Sequence, residues 1–201
     1  MRRAVIAIAA YVAMTGAVLA GPFEVGQAAF QRGDYVAALR QWLPLAQRGN
    51  VAAQHNVAII YDTGGRGVPR DEVEAARWYY RAAEQGNASA QNNLAVMYSA
   101  GDGTPQDFAE AARWWRSAAE QGHDAAQFNI GWSLANGRGV PRNLVEAYMW
   151  LSLAALRLPP GQARELAVAE RDAVGGRMTP LQIAEARRLA REWEAAHPAA
   201  R

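Results

Sequence analysis

The 201 residues contain no cysteine and no lysine. The first absence excludes a disulfide framework, a thiolate zinc site and a cysteine nucleophile together. The second makes all 21 basic side chains arginine and removes any Ser-x-x-Lys pair. Histidine is scarce too. His55, His123 and His197 are the only copies, and none lies at zinc-ligand spacing from another ligand type, so no metal site is expected and turn or surface roles are. No Gly-x-Ser-x-Gly, Walker loop or dinucleotide fingerprint occurs, so no cofactor is expected. Charge of one sign is also missing. The formal net charge is +2 and the isoelectric point about 9.2, but Arg2 and Arg3 sit in a segment read below as removable. Without those two of the 21, 19 arginines face 19 acidic residues, and the balance gives no support for nucleic-acid binding.

That segment is Met1 to Ala20. Arg2 and Arg3 form a positive start, Ala4 to Leu19 carries no charge, and Val18-Leu19-Ala20 offers the small residues a signal peptidase reads. Cleavage after Ala20 is expected, with an uncleaved anchor as the alternative. As a membrane span the stretch is marginal, because half of it is weakly apolar Ala and Gly. No cysteine follows the site, which excludes a lipoprotein, and the rest of a twin-arginine motif is missing. The expected product is exported and periplasmic where a periplasm exists, with no stable membrane insertion once residues 1–20 are cleaved.

What is abundant is repetition. The run Asp71-Glu72-Val73-Glu74-Ala75-Ala76-Arg77-Trp78-Tyr79 returns as Asp107-Phe108-Ala109-Glu110-Ala111-Ala112-Arg113-Trp114-Trp115, and more weakly as Asn143-Leu144-Val145-Glu146-Ala147-Tyr148-Met149-Trp150-Leu151. The period is about 36 residues. A second block keeps step: Ala53-Gln54-His55-Asn56-Val57-Ala58, Ala90-Gln91-Asn92-Asn93-Leu94-Ala95 and Ala126-Gln127-Phe128-Asn129-Ile130-Gly131. Between the blocks fall Gly67-Val68-Pro69, Gly103-Thr104-Pro105 and Gly139-Val140-Pro141, the earliest copy carrying the extra residue Gly65.

Both blocks predict helices. Asp71, Asp107 and Asn143 are capping residue types, each followed three residues on by Glu74, Glu110 or Glu146, which suggests reciprocal capping boxes. The Gly-x-Gly-x-Pro loops permit left-handed backbone and forbid continuation of the preceding helix, and Gly49, Gly86 and Gly122 end the capped helices in the same way. Each unit is then a hairpin of two helices of about 13 to 15 residues, and since one hairpin cannot bury its apolar face alone, successive units stack. The expected fold is all-α, an α-solenoid of antiparallel helix pairs over residues 21–157.

The pattern Ala-Gln-x-Asn-Leu, Tyr98, Gly-x-Gly, Pro, Asp, Ala-x-x-Trp and Ala-Ala-Glu-Gln-Gly (Ala82 to Gly86, Ala118 to Gly122) resembles the Sel-1-like repeat family, relatives of the tetratricopeptide repeats. The resemblance covers roughly residues 34–157. Residues 23–48 depart from it, Gly33-Asp34-Tyr35 and Ala38-Leu39 reading more like a tetratricopeptide pair. After Leu158-Pro159-Pro160-Gly161 the period stops. Gln162 to Val174 predicts one more helix, and Thr179-Pro180-Leu181-Gln182 opens the last with cap, first-turn proline and box in place. Its apolar stripe is Ile183, Ala186, Ala190 and Trp193. Residues 158–201 are therefore expected to form a helical C-terminal cap, whose ending resembles that of bacterial members of the family.

Function is sought in what fails to repeat. Trp78, Trp114 and Trp150 recur with the period and are expected to pack between hairpins. Gln54, Gln91, Gln127 and Asn56, Asn93, Asn129 recur as well, and are expected to bond between units. On the first helix of each unit, expected to line the concave face as in related solenoids, a stripe at i, i+4 and i+7 varies. It reads His55, Ile59, Asp62; then Asn92, Val96, Ser99; then Phe128, Trp132, Ala135. Phe128 and Trp132 are the sharpest binding candidates, since aromatic anchors dominate interface energies; packing beneath the C-terminal cap is the competing reading. The resemblance implies a non-enzymatic scaffold that binds a protein or peptide on that face, as adaptor or regulator of a cell-envelope complex. A cell-wall or polysaccharide-binding module is the alternative, with Trp132 stacking on sugar. A β-lactamase-like hydrolase, proposed for cysteine-rich relatives, comes third because the cysteines and Ser-x-x-Lys are missing.

Overall fold

A computed structural model describes residues 21–198; the expected signal segment, 1–20, lies outside the described residues. Among these residues there are ten helices and no strand. They are α1 (Pro22–Gln31), α2 (Tyr35–Gln47), α3 (Val51–Thr63), α4 (Glu72–Glu84), α5 (Ala88–Ala100), α6 (Phe108–Glu120), α7 (Asp124–Asn136), α8 (Leu144–Arg157), α9 (Gln162–Gly175) and α10 (Pro180–Ala196). Each helix from α1 to α8 packs on the next in the chain, which makes four consecutive hairpins of an α-solenoid.

The punctuation works as its chemistry requires. Asp71, Asp107 and Asn143 accept the N–H of Glu74, Glu110 and Glu146 and so begin α4, α6 and α8. The reciprocal half of those boxes does not form. Glu74 and Glu110 turn instead to Arg77 and Arg113 one turn along, and Glu146 bonds Arg116 of the preceding hairpin. An exposed carboxylate gains more from a nearby guanidinium than from bending back to a neutral N–H. Thr179 and Gln182 alone close a full box, at the start of α10.

The second glycine of each Gly-x-Gly is fixed by a neighbour as well as by its own φ. Gly103 (φ 66°) and Gly139 (φ 74°) press on the first turn of the second helix one unit back. A Cβ there would stand 2.1 Å from the Glu72 carbonyl oxygen and 1.9 Å from that of Phe108. These two loops are thus backbone-to-backbone seams, whereas a Cβ on Gly67 would meet the Val36 side chain at 2.8 Å. Alanines do the same inside: Ala75, Ala82, Ala111, Ala118, Ala147 and Ala154 are fully buried, letting helix axes close up.

Buried glutamines stitch the seams. Gln54 and Gln91 each donate to a carbonyl of the preceding helix, Ala46 at 3.0 Å and Ala83 at 3.1 Å. Their own amide oxygens accept from Gln85 at 2.6 Å and Gln121 at 2.7 Å. Gln127 repeats the first bond, to Ala119 at 3.3 Å, but its oxygen has no partner. The residue that should supply one is Arg157, which reaches the carbonyl of His197 and lies 4.8 Å from the Trp193 ring. Trp193 also meets Trp150 edge to face at 5.9 Å. These contacts hold α10 against α8, while α9 lies against α8 where the next hairpin's first helix would go.

Candidate partner-binding face

The first helices of successive hairpins stand beside one another. Asn129 of α7 donates to Asn92 of α5 at 3.3 Å. Burial lowers the His55 pKa below its ordinary value; a hydrogen bond to Asn56 opposes this, and the charge of His123, two hairpins further on, adds to it. Their variable stripe is therefore a shared surface, and its residues divide by what neighbouring side chains leave free.

In the first row, His55 is half-buried with its ring 5.9 Å from that of Tyr79, and Ile59 packs against the core. Asp62 accepts the Tyr79 hydroxyl at 3.4 Å and has Arg70 3.9 Å away. Burial and that carboxylate both push the Tyr79 phenol well above its usual range, so it stays a donor. In the second row Asn92 is buried and bonded to Asn93 and Asn129. Val96 is 43% exposed and Ser99 gives its hydroxyl proton to the Val96 carbonyl. In the third row Phe128 packs against Ala154 and Ala155 of α8 and Ala167 of α9, with Leu158 and Val168 beside it. Ala135 is buried.

Trp132 is half-buried and lies elsewhere. With Ser99, Phe108, Trp115, Ser133 and Arg138 it bounds a recess of about 100 Å³ between the second and third rows. The Arg138 guanidinium sits 3.9 Å from the Phe108 centroid and 5.6 Å from that of Trp132, a cation clamped between two rings. The Nε1–H of Trp115 is buried without an acceptor. An aromatic slot with guanidinium N–H groups suits one inserted side chain ending in a hydrogen-bond acceptor.

The structure thus brings Ser99 and Trp132 together, leaves Val96 open near them, commits His55, Asp62 and Asn92 to neighbours, and turns Phe128 toward α9. Phe108, Trp115 and Arg138 are the residues that helix-stripe reasoning missed. A signal existed: Glu72, Phe108 and Leu144 differ at the start of the second helix, and between the two glycines of the loops Asp102 stands where Arg66 and Arg138 stand in the others. Reading variation through the loops, as through the helices, finds them.

Among the described residues no group of three or more His, Asp or Glu could hold a metal ion, and no helix is long and apolar enough to cross a membrane. His123 has a local job: its Nδ1 accepts the Ala126 N–H at 3.3 Å and caps α7, as Asn50 and Asn87 cap α3 and α5. Burial lowers its pKa, against a raising effect of Asp124.

A family model described as Sel1 repeat matches residues 51–87, 88–123 and 124–157. These spans are α3–α4, α5–α6 and α7–α8; the hairpin α1–α2 stands outside the match. The chain is similar to a Sel1 repeat protein from Oxalobacter formigenes, with 35% identity and a TM-score of 0.63 over 67% of this chain and 55% of that one. It is also similar to a protective antigen of uropathogenic Escherichia coli strains displaying an SLR fold, with 26% identity, a TM-score of 0.52 and 87% of this chain covered. It spans about half of each, 55% and 45%. No curated protein matches it.

Proposed function

The chain belongs to the Sel1 repeat family, whose members are helical repeat scaffolds that generally mediate protein–protein interaction, and on that premise we propose an exported adaptor or regulator of a cell-envelope complex. Its partner is a protein or peptide laid along the first-helix face, with one acceptor-bearing side chain inserted between Trp132, Phe108 and Arg138. The recess is the observation that carries this reading. Donors and aromatic walls are already in place, so little ordering entropy is lost on binding. Export rests on Arg2-Arg3 followed by the uncharged run to Leu19.

Affinity capture with the full chain, read by mass spectrometry, tests the proposal against a Trp132→Ala/Arg138→Ala double variant. At least one partner bound by the wild type is expected to be lost, consistent with a cost of about 2 kcal/mol or more for an anchor residue. Retention of every partner by a double variant with unchanged helical circular dichroism overturns it. Sedimentation with purified peptidoglycan that depends on Trp132 would move the site to the sugar-stacking alternative. For export, the protein isolated from a bacterial envelope fraction is expected to begin at Gly21.

A further inference from the structure

We propose that a second surface, the groove between α9 and α10 over α8, receives an acidic segment of a partner protein that also carries aliphatic side chains. In the repeats each second helix packs on the first helix of its own hairpin; α9 and α10 instead both lie on α8 and scarcely on each other. They hold apart a groove of about 430 Å³. Arg164 and Arg171 form one wall and Arg187 and Arg191 the other, with Glu194 the sole acid in the lining. The floor is apolar: Leu153, Val168 and Leu156, the last 57% exposed.

The charges on these two helices are sorted. Away from the groove, Arg188 holds both Glu185 and Glu192, which leaves that cluster net acidic. In the groove, Arg171 has Asp172 beside it at 2.7 Å. Arg164 donates to the Ala155 and Leu156 carbonyls at the end of α8, and Arg187 reaches the Tyr148 hydroxyl at 3.5 Å. Among the described residues, Arg164, Arg187 and Arg191 have no carboxylate within ion-pair distance. Four guanidiniums over an exposed leucine are complementary to carboxylates next to an aliphatic side chain, and arginine binds carboxylate in a two-pronged geometry.

Residues 1–20 and 199–201 contain no Asp or Glu, so neither segment carries the acidic groups this groove would bind. A sulfated sugar would satisfy the walls but not the floor. The spacing describes the occupant further. Arg164 and Arg171 are two turns apart, about 10 Å, and Arg187 and Arg191 one turn, about 6 Å. Carboxylates one and two helical turns apart match them.

Peptide display on the immobilised full chain, counter-selected on an Arg187→Glu/Arg191→Glu variant, tests this. The selected peptides are expected to carry Asp or Glu pairs next to Leu, Ile or Met. Made synthetically, they should bind at least tenfold more weakly to the charge-reversed variant and to Leu156→Asp, weaken with salt, and bind Trp132→Ala unchanged, which separates this site from the recess. Melting curves confirm that the variants fold. The proposal is overturned by selected peptides without acids, by none that discriminates wild type from the variant, or by a heparin hexasaccharide that binds wild type and Leu156→Asp equally.

Discussion

The six helices α3–α8 and the two that follow them are built from similar material and assemble differently. Both regions have alanine-rich helices of comparable length, each started by a capping side chain except α9. In the first, the glycine loops before α6 and α8 touch the backbone of the unit before, the loop before α4 touches its Tyr35 and Val36 side chains, and each seam carries a buried glutamine. In the second, Gly175 and Gly176 make a turn with no positive φ, and Arg157 stands where Gln85 and Gln121, the partners of the seam glutamines, stand in the earlier units. Without that loop α10 swings onto α8, drawn by Trp193 on Trp150. Helix composition decides that a helix forms; the joint decides which neighbour it takes.

The comparison can be pressed hardest at the glycines. Gly139→Ala or Gly103→Ala places a methyl on a carbonyl oxygen at positive φ and is expected to cost about 3 kcal/mol or more by urea denaturation. Gly176→Ala, at φ −63° with only ordinary contacts, should be neutral or slightly stabilising. Equal effects at the two sites would remove the distinction. Trp193→Ala removes a half-buried ring that meets Trp150 edge to face, stacks on His197 and carries Arg157 over its face, and is expected to lose about 2 kcal/mol and to expose α10 to limited proteolysis while α3–α8 stay protected. Gln91→Leu breaks one bond to the preceding hairpin and one within its own, and should cost about 1–2 kcal/mol, whereas Gln127→Leu, which removes an already unpaired oxygen, should cost less than half of that.

The smallest effect depends on pH. His123 and His55 have folded-state pKa values lowered by burial from the ordinary 6.5, so the unfolded chain takes up protons first as pH falls. Their stability contribution is complete above about pH 6.5 and is lost progressively below it. Thermal melts from pH 7 to 5 should show a falling midpoint. His123→Asn, restoring the capping residue of the other hairpins, should flatten part of that fall and gain about 0.5–1 kcal/mol at pH 5.5. A variant as pH-sensitive as the wild type would assign the effect elsewhere.

How far the sequence could be read follows the range of the forces involved. Caps at Asp71, Asp107 and Asn143 depend on three adjacent residues and were legible. So were the bridging glutamines, because the period marks any residue that serves every seam. The missing reciprocal boxes were not, since whether Glu74 prefers Arg77 to its own cap depends on exposure. Nor was the separation of Phe128 from Trp132. Both lie on one stripe, and only the path of α9, set by contacts distant in sequence, takes one and leaves the other. Arg138 escaped because it sits in a loop that looked like punctuation.

The glycine seams also bear on how such a molecule changes length over generations. The joints at Gly103 and Gly139 offer the same backbone surface, and each hairpin answers mainly to its two neighbours, so an added or deleted copy there finds a socket already shaped for it. Inserting a whole unit of about 36 residues at a loop is thus a milder insult to this protein than one methyl group at Gly139.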